Sequence, residues 1–262
     1  SFTLIIGSVI LIPFYGLVGS MVSLIIAPIV SSLIALRFLV SQFRTFTFSI
    51  NAIKNVKIYS ELSSYWLMHV VSLISSSVVL ILIRTKIVNT SGWEEAGLWE
   101  GVLRISDLSF LLITTSLSVY FLPILSSLEN KKNELKLIYD VLRLGIAASI
   151  LILIAVYFFR SLVVNLIFSQ EFENIKDLLI YQLIGGVFKI FSWVVGFHLI
   201  IKSHPGYYIF VEIFFGSLFY LLSFYFFEQY GIKGICFAYI FSNVLFVLAG
   251  SIYLRNYFAN NE

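Results

Sequence analysis

Five polar residues set inside one apolar stretch carry the most chemical information in this chain. Between Glu94 and Leu128, the residues Glu100, Arg104, Asp107, Thr114 and Ser118 recur at a spacing that, at about 100° per residue, puts them on one narrow stripe of a helix. Leu, Ile, Val and Phe occupy the remainder. A charge facing mid-bilayer costs about 2.5–3.5 kcal/mol on insertion scales, so three of them turned to lipid would cancel much of the segment's apolar gain. The stripe must face protein or water. Arg104 can grip an anion through two parallel guanidinium hydrogen bonds. It can equally close an intrahelical ion pair, with Glu100 four residues before it and Asp107 three after. A second cation, Lys189, stands mid-helix on a face shared with Gln182, Gly185, Ser192 and Gly196, where small residues fit either close helix packing or space for a ligand.

The elements that hold these residues are membrane helices. The chain has 262 residues, 60% hydrophobic and 12% charged, with a mean hydropathy of +0.98, against roughly 25% charged residues in a soluble domain. A soluble globule is excluded. The net charge of +3 is small and dispersed and gives no basic patch for nucleic acid. The single cysteine, Cys236, excludes an intrachain disulfide and reads as a small buried hydrophobe. Eight stretches are long enough to cross a bilayer, near 2–17, 20–40, 62–83, 95–125, 142–166, 177–201, 207–227 and 232–254. The first starts at Ser1 without a lead-in, as a helix cut at its beginning would, so the chain reads as the C-terminal part of a longer protein.

If the first helix runs outward, Arg37, Arg44, Lys54, Lys57, Lys131, Lys132, Lys136, Arg143, Lys202 and Arg255 are cytoplasmic. Only Arg84, Lys86, Arg160, Lys176 and Lys233 then lie opposite, as the positive-inside rule requires. The C-terminus is then cytoplasmic. Trp93, Trp99, Tyr157, Tyr207 and Tyr208 sit near helix ends, where amphipathic rings favour the headgroup layer. The longest polar interruption, 42–61, mixes Arg44, Lys54 and Lys57 with Phe43, Phe46 and Phe48 and reads as a cytoplasmic linker. The expected division is 1–41, the last two helices of a truncated first lobe; 42–61, the linker; and 62–262, a complete six-helix second lobe. Pro28 and Pro123 interrupt spans and permit kinks.

The segment Trp93-Glu94-Glu95-Ala96-Gly97-Leu98-Trp99-Glu100-Gly101-Val102, followed by Ile105-Ser106-Asp107 and Ser118-Val119-Tyr120-Phe121-Leu122-Pro123, resembles the seventh-to-eighth helix signature of Wzx-type flippases for O-antigen and enterobacterial common antigen (lipid III). Phe172, Asp177-Leu178, Gln182-Leu183, Gly185 and Lys189, then Tyr208-Ile209 and Glu212, follow in the order of that family's tenth and eleventh helices. The resemblance implies an all-α integral membrane fold of the multidrug/oligosaccharidyl-lipid/polysaccharide (MOP) superfamily: a MATE-like transporter of twelve helices in two lobes, of which about eight are present here. It implies a bacterial inner-membrane flippase moving undecaprenyl-diphosphate-linked oligosaccharide to the periplasmic leaflet by alternating access, ion-coupled, rather than an enzyme. The implied partners are that lipid-linked sugar, membrane lipid, and a polysaccharide polymerase with its chain-length regulator.

Within that reading Arg104, Lys189 and Arg84 are the candidate contacts for the diphosphate headgroup. Asp107, Glu212, Asp177 and Glu100 are candidates for ion coupling or for neutralising those cations. His69, Ser72, Ser76 and Gln182 form a polar wall suited to sugar hydroxyls, with plain packing as the alternative for His69. Solvation at the interface is the alternative for Arg84 and Asp177. His198 and His204 are scattered, and no HExxH pair, P-loop, GxSxG or dinucleotide fingerprint occurs. No metal, cofactor or catalytic residue is therefore expected. A cation-coupled drug exporter of the same superfamily would show acids outnumbering bases in its cavity. A polymerase or ligase acting on the lipid carrier would need a large outer loop.

Overall fold

The computed structural model describes residues 2–43, 56–167, 175–201 and 205–259, and all of its regular structure is helical. The chain divides into two compact units, 1–56 and 57–262. Arg44, Phe46, Phe48 and Lys54 of the expected linker, Phe172, Lys202 and His204 lie outside the described residues.

The first unit is α1, Phe2–Phe43, whose backbone leaves the helical region at Gly16 (φ 53°, ψ −131°). Glycine alone enters that region without a Cβ penalty, and here it reverses the chain. The two arms lie against each other. Thr3 bonds to the Ala27 carbonyl at 3.3 Å and to the Ser31 hydroxyl at 2.9 Å, and the Ser8 and Ser23 hydroxyls meet at 3.0 Å. Small side chains at this seam let two apolar helices approach where lipid supplies no hydrophobic drive.

The second unit contains α2 (Val56–Ser91), α3 (Trp93–Ser116), α4 (Leu122–Ser127), α5 (Lys131–Ile167), α6 (Ile175–Ile201), α7 (Pro205–Tyr230) and α8 (Ile232–Ala259). A π turn, Leu117–Phe121, carries α3 into α4. It adds a residue just before Pro123, whose missing N–H and bulky ring a regular α-helix could not accommodate. Seven helices among the described residues have the length and hydropathy to cross a bilayer. Counting the two arms of α1 separately gives the eight spans expected. Most helices outrun the expected spans, because the backbone keeps its hydrogen-bonding pattern through the interfacial layer. The chain is a multi-pass membrane protein.

α6 is the centre of this unit, packed against α3, α5, α7 and α8. Its Gly185 and Gly186 face the rings of Tyr239 on α8 and Phe110 on α3, and neither position has room for a Cβ. Large apolar side chains such as Leu112 and Phe158 point outward from the bundle, as suits a protein whose solvent is hydrocarbon. Trp99, expected at the headgroup layer, is fully buried instead. It packs in the core shared by α3, α5 and α6, because its helix face coincides with that of Leu98, Val102 and Ile105 rather than with the charged stripe.

Candidate functional site

The charged stripe of α3 meets α2. Glu100 receives a hydrogen bond from Arg104 Nε at 3.0 Å, one turn along its own helix, and pairs through its other oxygen with Arg84 of α2. One carboxylate thus bridges two guanidiniums. Arg104 is nevertheless 71% exposed, so its remaining donors are open to a ligand. The ion pair expected between Glu100 and Arg104 forms, and it leaves part of the guanidinium uncovered.

Asp107, one turn further on, lies within electrostatic reach of Arg104 on its own helix and of Lys189 on α6. Lys189 in turn is acted on by Asp107 and by Glu212 of α7. Glu212 accepts a hydrogen bond from Ser72 Oγ of α2 at 3.1 Å, and Tyr208 engages the same serine. Arg84, Glu100, Arg104, Asp107, Lys189 and Glu212 therefore alternate in sign along a ladder crossing four helices. On α2 alone, the twelve residues from Ser72 to Arg84 correspond to about 18 Å of helix. Alternation holds each charge in the low-dielectric layer at less cost than a run of one sign.

The deep end of the ladder opens into a cleft of about 190 Å³ lined by Lys189 and Glu212, by Ser75 and Ser76 of α2, and by Tyr239, Ser242 and Asn243 of α8. Phe215, Phe219 and Phe246 supply its apolar wall. An ammonium, a carboxylate, an amide and hydroxyls beside aromatic rings form a surface that can take charged and hydroxylated groups.

The other expected residues separate. Ser76 lines the cleft, with its hydroxyl donated to the Ser72 and Leu73 carbonyls of its own helix. Ser72 is taken by Glu212, and His69 is exposed on the same face of α2. Gln182 is buried inside the unit, so it adjoins no open space. Asp177 is exposed in the first turn of α6, where the helix N-terminus favours a negative charge, away from the ladder. Thr114 and Ser118 bond back to their own helix, and Ser118 falls in the π turn, whose extra residue shifts the register of the stripe.

Sequence reading missed Asn243, Ser242 and Tyr239, whose helix carries no charge between Lys233 and Arg255 to mark its inner face. It also missed a buried Glu134 of α5, which lies 2.8 Å from His198 Nε2 of α6, with Tyr253 of α8 at 3.2 Å from the other ring nitrogen. Nothing in the spacing of three distant helices signals that cluster.

Replacing Glu100 with Gln should release both guanidiniums. Both partners are substantially exposed, so the coupling between Arg84 and Arg104 through Glu100 is expected at no more than about 1 kcal/mol in a thermal-unfolding double-mutant cycle. A coupling several times larger would mean that the bridge is a structural clamp.

No family model matches the chain. Over 153 residues, 58% of this chain, it is 32% identical to the lipid III flippase of Escherichia coli (strain K12), and equally to the lipid III flippase of Shigella flexneri. That alignment takes in 37% of each relative's length, so the chain spans little more than a third of them. Among solved structures, an outward-facing MATE-family multidrug resistance transporter of the MOP superfamily superposes with a TM-score of 0.80 at 14% identity, covering 99% of this chain and 60% of that one. A MOP-superfamily transporter from Pyrococcus furiosus gives 0.79 at 15% identity, over 98% and 60%. In sequence the chain is akin to the lipid III flippases, and its fold is that of the MATE-type transporters of the MOP superfamily.

Proposed function

We propose that this chain forms part of a flippase for lipid-linked oligosaccharides, carrying an undecaprenyl-diphosphate-linked repeat unit of the enterobacterial-common-antigen or O-antigen type from the cytoplasmic to the periplasmic leaflet of the bacterial inner membrane. The sequence likeness to lipid III flippases supports the substrate class. The observation that carries the reading is the exposed Arg104, held by Glu100 with donors to spare on a ladder that reaches the Lys189–Glu212 cleft.

The task sets the requirements. A diphosphate headgroup with attached sugars faces a prohibitive desolvation cost in hydrocarbon, while its isoprenoid tail is at home there. Cations at successive depths replace the lost hydration of the phosphates. Arg84 and Arg104 would engage the diphosphate near one face of the membrane, and Lys189 would do so deeper. Hydroxyls and the Asn243 amide would meet the sugar. Asp107 and Glu212 would compete with the substrate for those cations, or bind the coupling ion as the pathway changes its opening. By this reading the unit 57–262 is the second lobe, α1 closes the first, the C-terminus is cytoplasmic, and the protein is a transporter rather than an enzyme. A polysaccharide polymerase and chain-length regulator would act on the delivered product.

The test is complementation. The full-length protein containing this chain should restore periplasmic delivery of the lipid-linked sugar in cells that lack their own lipid III flippase. Arg104→Ala should reduce that delivery about 10- to 100-fold at unchanged protein level, the loss expected for one charge-assisted phosphate contact of about 1.5–3 kcal/mol. Lack of rescue by the wild-type protein, alongside raised resistance to cationic drugs, would favour the exporter instead.

A further inference from the structure

A second opening lies on the far side of α6 from the charged cleft. Lys189 lines the cleft and Phe191 lines this groove; two residues apart on a helix they point about 160° from each other, so the two openings face opposite sides of the unit. The groove has a volume of about 430 Å³, within the range of small-molecule sites, and runs between the first turns of α5 and the last turns of α8. Its walls are mostly apolar, Leu135, Ile138 and Leu142 from α5 and Leu254 and Phe258 from α8, with Tyr139 and Ser251 as polar members. From residue 135 to residue 142 the α5 wall extends about 10 Å along the axis.

The mouth is basic. Arg255 lines the groove and has no ion-pair partner among the described residues. Lys132, Lys136 and Arg143 flank it on α5 and are exposed, against two exposed acids at this end, Glu129 and Asp140. The beginning of α5 also carries Lys131, Lys132 and Glu134, a density of charge that places this end at headgroup depth. The back of the groove is fixed. Phe258 packs on the His198 ring, which is held by Glu134 and Tyr253, so α5, α6 and α8 are tied together directly behind the apolar walls.

We propose that this groove binds one anionic phospholipid, with an acyl chain along Leu135, Ile138, Leu142, Leu254 and Phe258 and the phosphate on Arg255. Apolar walls of this length fit hydrocarbon. The excess of cations at the mouth favours a net negative headgroup over a zwitterionic one, as basic pockets between membrane helices do. The inference is separate from the transported substrate, because the groove opens away from the ladder and the cleft.

The full-length protein, purified in detergent and stripped of lipid, would be titrated with phosphatidylglycerol and with phosphatidylethanolamine and followed by native mass spectrometry. One phosphatidylglycerol per chain should bind in preference to phosphatidylethanolamine. Arg255→Gln should weaken phosphatidylglycerol binding about fivefold, and Ser251→Trp, which fills the groove from its exposed edge, should remove it. The unfolding midpoint of the stripped protein reports whether each variant is folded, and Arg255→Gln alone decides the question if Ser251→Trp is not. Equal binding of the two lipids, or an unchanged affinity in Arg255→Gln, overturns the proposal. So does displacement of phosphatidylglycerol by equimolar undecaprenyl phosphate, which would assign the groove to the isoprenoid carrier.

Discussion

Lys189→Met is expected to reduce transport of the lipid-linked sugar about 10- to 100-fold while the protein still reaches the membrane. The methionine keeps the length and the apolar stem of the lysine and removes only the ammonium. Two consequences follow, and they add. The cleft loses the cation that would engage a phosphate, a contact worth about 1.5–3 kcal/mol when charge-assisted. Asp107 and Glu212, which both act on Lys189, are left with less opposing charge in the membrane interior. If repulsion between those acids dominates, Lys189→Met combined with Glu212→Gln should recover activity relative to Lys189→Met alone. If the phosphate contact dominates, the double variant stays inactive and Lys189→Arg retains part of the activity. Transport in inverted vesicles with a labelled lipid-linked sugar separates these outcomes. Wild-type rates in Lys189→Met would remove Lys189 from the substrate path.

The second large effect is on stability. Gly186→Leu should destabilise the unit by about 3 kcal/mol or more, because even the first side-chain carbon overlaps the ring of Phe110, which is itself buried against α6. Gly186→Ala should cost about 1–3 kcal/mol for the same reason, and Phe110→Ala in the same chain should relieve part of it. The control is Gly97, in the first turns of α3, where an added Cβ meets nothing within 4 Å. There alanine should stabilise by about 0.5–1 kcal/mol, through its better helix propensity. Opposite signs at two helical glycines, read as shifts in unfolding midpoint, separate close packing from mere flexibility. A stabilising Gly186→Ala would mean that α3 and α6 are not closely packed at this point.

Gly185 is visible in the sequence as a small residue on the face of Lys189, a pattern that fits either helix packing or ligand space. The ring of Phe110 decides for packing at Gly186, and that of Tyr239 does so at Gly185. The cleft opens beside them, where Lys189 and Tyr239 both line it.

By itself, the sequence determined the membrane class, the approximate place of the spans, and the shared helix face of Glu100 and Arg104. Hydropathy over about twenty residues and a period of 3.6 are local quantities, legible without knowing any neighbour. The pair between Glu100 and Arg104 was legible for the same reason, being one turn apart. Only the tertiary structure decided the rest. Glu100 also takes Arg84, Glu212 is met by Ser72 from 140 residues away, and Glu134 finds His198 across 64. It likewise turned Trp99 into the core and Gln182 away from open space. These outcomes depend on which helix lies beside which and at what rotation, and that is set by small and large side chains fitting together across the whole bundle. A helix carries its polar face in its own spacing, but the partner of that face is fixed only when the helices pack.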